Sequence, residues 1–435
     1  MTIDGIFSTS NAFSNLSKLT TKKMAKMERF CKEHGLVFEN PDDYCDPIID
    51  FQDDKRLPLK LVKKLAELNY HTAKPIQAVA IPIILEKRDF VGKAETGSGK
   101  TLAFVIPALT FMLNEDEIET KSAGCYPKVM IISPTRELAI QTNEVIEQIG
   151  LFKSICVYGG ASRMTQYSEL RSKKPPIIVG TPGRINDFLE TGSIHMSKCN
   201  YLVLDEADRM FDMGFYPQIK KIIDLCPGIR ERQTLLFSAT WVEKVQELAD
   251  PLLNPNRSLV SIGPLYGLKA CIDIKQHLFH CREHDKKKLL EEIFREFDGF
   301  KILVFTATKL RAQSVCDDFN DLNITKCDYI HGDVAQERRE RLIQDFNRGR
   351  SMVIFATDVA SRGLDIKEIH VVVNYDFPID VETYVHRIGR CGRNGAKGLS
   401  FTFITDRFLE NQYQHKKLLK VVSSSGNIIP DNLQL

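Results

Sequence analysis

Short apolar runs alternate with amphipathic stretches along most of this 435-residue chain, and the pattern occurs twice. In the first half the runs are DFVGK (89–93), KVMIIS (128–133), PIIVG (176–180), YLVLD (201–205), TLLFS (234–238) and SLVSI (258–262). Most are nearly unbroken β-branched or aliphatic segments, as expected of parallel strands buried on both faces. Stretches such as RELAIQTNEVIEQIG and YPQIKKIIDLC between them carry a helical period. The second half repeats the theme with KILVFT (301–306), CDYIHG (327–332), MVIFAT (352–357), HVVVNY (370–375) and LSFTFI (399–404). Such alternation predicts βαβ units, hence an α/β chain of two tandem doubly wound parallel-sheet domains. GPLYGLKACID (263–273), with two Gly and one Pro and no helical period, is the expected linker. The domains are therefore placed at 51–262 and 274–408, with an extension over 1–50 and a tail over 409–435. The extension is expected to be helical over LTTKKMAKMERFCKEHG. The segment RFLENQYQHKKLLKVVSSSGNIIP is expected to be a helix ended by Ser-Gly.

No run of about 18 apolar residues is present, so no membrane span is expected. MTIDGIFSTSNAFSNLSKLTTKK lacks the basic start and apolar core of a secretory signal, and its Ser, Thr and Lys content is a weak match to a transit peptide. The chain is thus read as not secreted. Its 11 cysteines are scattered without a C-x-x-C pair, which fits a reducing compartment. A net charge of +2 means that any nucleic-acid binding must come from a local basic groove.

The strongest local signal is Ala94-Glu95-Thr96-Gly97-Ser98-Gly99-Lys100-Thr101, after one expected strand and at the start of an expected helix. Glycines there let backbone N–H groups face phosphates, and the helix N-terminus favours negative charge. Lys100 suits the β- and γ-phosphates and the Thr101 hydroxyl suits Mg²⁺, although Ala94 stands where the general phosphate-loop pattern begins with Gly. Asp205-Glu206-Ala207-Asp208 directly follows YLVL. A carboxylate at the C-terminal end of a parallel strand beside a phosphate loop is placed for metal-assisted phosphoryl chemistry. Asp205 is expected to hold Mg²⁺ through water, and Glu206 to orient the attacking water as a general base. An Asp-Glu pair by itself would more often be only a helix cap.

Further motifs follow in order: Pro134-Thr135-Arg136-Glu137-Leu138-Ala139, Gly159-Gly160, Thr181-Pro182-Gly183-Arg184, Ser238-Ala239-Thr240, Gln336 with Arg339, Thr357-Asp358, Arg362-Gly363-Leu364-Asp365, and His386-Arg387-Ile388-Gly389-Arg390-Cys391-Gly392-Arg393. With the phosphate loop and Asp205–Asp208 this ordered set, over roughly residues 51 to 405, resembles the DEAD-box RNA helicases. The resemblance implies two RecA-like domains, ATP and Mg²⁺ as ligands, and single-stranded RNA as partner. It implies that Arg390 and Arg393 resemble arginine fingers, that Asp365, with Gly363 beside it, meets the ATP ribose, and that Asp208, Ser238, Thr240, His386 and Arg387 couple the domains. Arg136, Gly160, Thr181, Gly183 and Arg184, with Arg339, Gly363 and Thr357, resemble the RNA-backbone set. Gly amides, hydroxyls and guanidinium groups suit phosphates and 2′-OH groups better than bases.

Adenine recognition departs from the family pattern. The element reads Asn69-Tyr70-His71-Thr72-Ala73-Lys74-Pro75-Ile76-Gln77, where Tyr70 can stack on a base and the Gln77 amide can pair with its edge. Ala73 and Lys74 replace the usual Pro and hydroxyl residue, and Phe51 lies one residue further upstream than usual. Two decoys stand apart. His277, His280, Cys281 and His284 suggest a metal cluster, but an opening strand would put His277 and His280 on opposite faces. Trp241 is expected to pack between the Ser238–Thr240 segment and its helix.

These readings converge on ATP-driven closure that separates a short duplex locally or remodels an RNA–protein complex. The alternatives are an ATP-gated clamp that seldom unwinds and a DNA-directed motor. The resemblance leans towards the nuclear branch of ribosome biogenesis and rRNA processing, with nucleolar or cytoplasmic residence as alternatives. A monomer with possible protein regulators is expected.

Overall fold

A computed structural model describes residues 27–95, 97–114, 124–263, 265, 270–271, 273–358, 369–392 and 397–434. They form two compact units divided at 266/267.

In the first unit an eight-stranded sheet contains β1 (Leu36–Phe38), β2 (Phe90–Lys93), β3 (Val129–Ile132), β4 (Ser154–Val157), β5 (Ile177–Gly180), β6 (Tyr201–Leu204), β7 (Gln233–Ser238) and β8 (Ser258–Ile262), in the order β1-β8-β2-β7-β6-β3-β5-β4. Every pairing is parallel except β1 with β8, where Leu36 lies opposite Ile262. Alternation splits each inner strand between two cores. Val129 and Ile131 of β3 face one with Phe104 and Phe237, while Met130 and Ile132 face the other with Phe188 and Trp241. Both faces are covered, so an unbroken apolar run is the stable sequence for such a strand.

The second unit's six strands are β9 (Ile274–His280), β10 (Ile302–Phe305), β11 (Cys327–Ile330), β12 (Val353–Ala356), β13 (Val371–Asn374) and β14 (Gly398–Ile404), in the order β11-β12-β10-β13-β14-β9. All are parallel.

Three features differ from the expected map. Residues 36–50, placed in an extension, join the first unit: β1 extends the sheet, the Ile48 N–H donates to the Ala78 carbonyl at 2.9 Å, and the Ile48 side chain is buried. The expected C-terminal helix is broken into Asp406–Leu409 and Gln412–Ser424, because the Asn411 side chain accepts from the Gln414 N–H at 3.2 Å and starts a new helix there. The expected tail folds back, burying Leu433, whose carbonyl lies 2.9 Å from His415 Nε2. Of the expected N-terminal helix, only 27–35 falls within the described residues, and it is helical over 27–34. Much of the expected linker (264, 266–269 and 272) lies outside them.

Topology places the site. With strands parallel, all motifs that follow them emerge at one edge of the sheet. β2, β7 and β6 are neighbours there, so the phosphate loop, the Ser238–Thr240 segment and Asp205–Asp208 stand side by side. β3, β5 and β4 follow in the same order, bringing together Arg136, Thr181–Arg184 and Gly159–Gly160. Between β2 and β3 the chain skips two strand positions, the kind of switch point where such sheets take ligands.

Candidate functional site

The phosphate loop joins β2 to the helix Lys100–Asn114 and turns on Gly97 (φ 86°) and Gly99 (φ 97°), left-handed conformations that a side chain resists. Lys100 is buried, and its Nζ donates to the carbonyls of Ala94 (2.6 Å) and Glu95 (3.0 Å). Burial pushes the Lys100 amine down from its ordinary pKa, against the opposing pull of Asp205, Glu206 and Asp208. The Ser98 hydroxyl donates to the Glu95 carbonyl at 2.7 Å, and the Ala94 N–H donates to the Ser238 carbonyl at 2.9 Å. Thr101 is half-buried at the helix start, and Thr96 lies outside the described residues.

Asp205 extends the β6 ladder by donating its N–H to the Ile132 carbonyl at 2.9 Å. Its side chain is buried and Oδ1 has no hydrogen-bond partner. Burial first, and the Glu206 charge second, push its carboxyl up to about 7 despite the pull of Lys100. A buried, unsatisfied carboxylate oxygen is costly alone and favourable against a cation. Asp205 with the Thr101 hydroxyl supplies the hard oxygen donors that Mg²⁺ takes, so the residues present fit that ion.

Glu206 sits at φ 52°, and its Oε2 accepts from Arg209 Nη1 at 2.9 Å, both side chains being buried. This partner escaped the reading of the sequence, although the i, i+3 spacing of Glu206 and Arg209 could have suggested it. Asp208 Oδ2 accepts from the Thr240 N–H (2.9 Å) and hydroxyl (2.8 Å), and the Ser238 hydroxyl donates to the Thr240 carbonyl at 2.6 Å. The structure therefore brings Asp208, Ser238 and Thr240 together, in a network internal to the first unit.

Gln77 meets a geometry other than the expected one. It is buried, its Nε2 donates to the Gly99 carbonyl at 2.9 Å, and its Oε1 accepts from the Lys74 N–H at 2.9 Å. Its amide is engaged with the phosphate loop, because the helix Pro75–Leu85 starts against that loop. Tyr70 is half-buried against the first core.

Among the expected RNA contacts, Arg136 packs on Gly160 (φ +84°): a Cβ there would meet its Nη1 at 2.7 Å. Thr181 precedes the helix Pro182–Glu190, and Gly183 lies in its first turn, where a Cβ would meet Gln218 Oε1 at 3.8 Å, an ordinary contact. Arg184 is buried, donating to Gln166 Oε1 (2.8 Å) and the Ala161 carbonyl (3.1 Å), so it also shapes the loop that carries Gly160.

In the second unit Arg339 and Thr357 are buried. Arg387 is also buried. Its Nε and Nη2 meet the Asp358 carboxylate at 2.5 and 2.7 Å, and its Nη1 donates to Asn374 Oδ1 (3.2 Å) and the Asp376 carbonyl (2.7 Å). All these partners belong to its own unit, so the expected coupling to the first unit meets a guanidinium already held. His386 is half-buried at the end of the same helix, and Arg390 is buried just after it. Gly363, Asp365 and Arg393 lie outside the described residues. The histidine decoy resolves into separate contacts, His277 stacked on Phe401 and His280 paired with Asp406 at 2.7 Å. Trp241 is fully buried.

Residues 74–248 match the family described as DEAD/DEAH box helicase, and residues 285–395 that described as helicase conserved C-terminal domain. ATP-dependent RNA helicase DBP3 of Mycosarcoma maydis is 37% identical over 432 residues, covering 95% of this chain and 73% of that protein. The chain belongs to the DEAD-box helicase family. A second DEAD-box relative, DEAD-box ATP-dependent RNA helicase 30 of Arabidopsis thaliana, is 41% identical over 90% of this chain. The chain spans only 65% of that relative's length. The DEAD-box fold is matched in solved structures by Mss116p bound to single-stranded RNA and AMP-PNP (TM-score 0.74, 26% identity, 88% of this chain and 80% of that one). It is matched also by S. cerevisiae Dbp5 bound to RNA and ADP BeF3 (TM-score 0.68, 29% identity, 85% of this chain and 90% of that one).

Proposed function

We propose that the chain is an RNA-dependent ATPase and helicase that grips single-stranded RNA by its backbone. ATP-driven closure of its two units would separate short duplexes or remodel RNA–protein complexes. The observation that carries this reading is the buried Asp205 oxygen without a partner, within electrostatic reach of Lys100 and beside a loop of two left-handed glycines. The Gly97–Gly99 turn offers backbone N–H groups to the phosphates, and Lys100 exchanges loop carbonyls for phosphate oxygens. Mg²⁺, held by Asp205 and Thr101, supplies neutralisation of phosphate charge. Glu206, fixed by Arg209, orients a water towards the γ-phosphorus. The water oxygen bonds to phosphorus, the bond to the β-phosphate oxygen breaks, and the proton leaves through Glu206.

Arg390 and Arg393 of the second unit serve the developing charge, and Asp365, with Gly363, serves the ribose. Nucleotide shared in this way explains why its binding would draw the units together. Arg136, Gly160, Thr181 and Gly183, with Arg339 and Thr357, take the RNA backbone, and Arg184 holds their loop in shape. RNA bound with nucleotide analogues in Mss116p and Dbp5 supports this reading. We further propose nuclear RNA metabolism, ribosome biogenesis included, as the setting. The structural match to a yeast DEAD-box splicing factor, at 30% identity and TM-score 0.53, supports a nuclear role.

The test is steady-state ATP hydrolysis with and without single-stranded RNA. Lys100→Ala should lose ATP binding, while Glu206→Gln should bind ATP and fail to turn over. Normal RNA-stimulated turnover by either variant would sink the assignment. Nuclear residence is tested by imaging a fluorescent fusion, and exclusion from the nucleus would remove that part.

A further inference from the structure

The phosphate loop is gripped from outside as well as from within. Its Ala94 and Glu95 carbonyls are taken by Lys100, whereas the Gly97 carbonyl accepts from Lys74 Nζ at 3.2 Å. The Gly99 carbonyl accepts from Gln77 Nε2 at 2.9 Å, and Gln77 Oε1 in turn accepts from the Lys74 N–H at 2.9 Å. The contact involves the lysine stem too, since a Cβ on Gly99 would meet Lys74 Cδ at 2.9 Å. Two carbonyls of the loop are thus fastened to one short segment, 74–77, which stands where the resemblance leads one to expect a hydroxyl residue.

A trans peptide is planar, so a carbonyl and the N–H that follows it point in opposite directions. Holding the Gly97 and Gly99 carbonyls from one side turns the N–H groups of Ser98 and Lys100 to the other, where the Ser98 N–H donates to the Glu95 carbonyl at 3.3 Å, a bond that a phosphate would replace. Lys74 is exposed. Its ammonium adds an unburied positive charge to the rim of a site whose ligand carries several negative charges.

We propose that Lys74 is a positioning residue of the nucleotide site, bracing the phosphate loop through the Gly97 carbonyl and adding its charge to the attraction for the polyphosphate. The sequence change that disturbs the usual adenine element thereby moves recognition towards the phosphates, whatever the base. This inference rests on the nucleotide site proposed above.

The experiment uses the full chain and its Lys74→Met and Lys74→Arg variants, titrated with ATP and GTP at low and high salt, with ATP turnover measured on a single-stranded homopolymer RNA. Lys74→Met keeps the stem and removes the charge. It should raise Kd for both nucleotides by the same factor, about fivefold, or about 1 kcal/mol. KM for ATP should rise in step while kcat changes less than about twofold, the signature of lost uniform binding. The salt dependence of ATP binding should flatten, and Lys74→Arg should restore most of the affinity. An unchanged Kd in Lys74→Met overturns the proposal, as does an Arg variant no better than Met. An effect on ATP without one on GTP also overturns it, since it would make Lys74 part of base recognition. Lys100→Ala run alongside separates the two levels, because ATP binding unimpaired there would defeat the nucleotide site itself and not only the part given to Lys74.

Discussion

Asp205 and Asp376 stand in corresponding places, each just beyond the C-terminal end of an inner parallel strand, β6 in one unit and β13 in the other. Both are buried. Asp376 is saturated: it accepts from Lys286 Nζ (2.9 Å), Arg311 Nε (3.1 Å) and the Ala307 N–H (2.9 Å). Asp205 keeps one oxygen unpartnered, and its carboxyl is pushed up to about 7. One carboxylate is built into the fold and the other is held back from it. Position at a strand end therefore does not mark a reactive acid, whereas its missing partners do.

The comparison can be broken most strongly through Arg390. If the second unit contributes chemistry as well as framework, Arg390→Ala should cut RNA-stimulated ATP turnover about 10³–10⁵-fold, the usual effect of an arginine at the γ-phosphate. Near-normal turnover would leave the second unit purely structural in the reaction. The two aspartates then exchange their roles under one substitution. Asp205→Asn should lower turnover about 10²–10³-fold while leaving the urea midpoint unchanged or higher, since it removes a buried charge whose Oδ1 has no hydrogen-bond partner. Asp376→Asn should instead cost the second unit about 3–5 kcal/mol in urea unfolding, because Lys286 and Arg311 lose a buried counter-charge. Loss of activity without loss of stability in Asp376→Asn would erase the distinction.

The smallest effect concerns the lysines. Lys286 is buried against Asp376 and Glu283, whereas Lys93, at the end of β2, donates to the Leu265 carbonyl at 3.2 Å and burial pushes its amine down to about 8. Between about pH 8 and 10.5 the unfolded chain binds the Lys93 proton and the folded chain does not, so stability should rise with pH across that window. Lys93→Met should raise stability at pH 7 by about 1 kcal/mol and remove that rise, as read from urea midpoints at several pH values. A flat profile in the unaltered chain would count against the shift.

What the sequence made legible follows from the same physics. Strands such as YLVL and VMII are apolar on both faces because helices cover both, so each announces itself without context. β1 and β4 went unread: one has three residues, and Ser154 and Cys156 blur the other at the sheet edge. Lys100, Asp205 and Glu206 were legible because their chemistry requires fixed neighbours in the chain. The engagements of Gln77 with Gly99, Arg184 with Gln166 and Arg387 with Asp358 were not, because each joins residues far apart in sequence that only the folded topology brings together. A motif names the residue, and the partners its side chain already holds decide what it must release to meet a ligand.

β1 carries a consequence for how the first unit behaves when cut. Its three residues run antiparallel along β8, a strand of sequence SLVSI whose other neighbour is β2. Without β1, the outer N–H and C=O groups of β8 would form an open, flat, mostly apolar margin, the kind that pairs with a second copy of itself. A fragment beginning at residue 40 keeps every motif of the first unit and still loses that covering. Such a fragment should sediment as higher-order species, and one beginning at residue 27 should remain monodisperse. The short strand thus guards colloidal behaviour, a property that no assay of nucleotide or RNA would register.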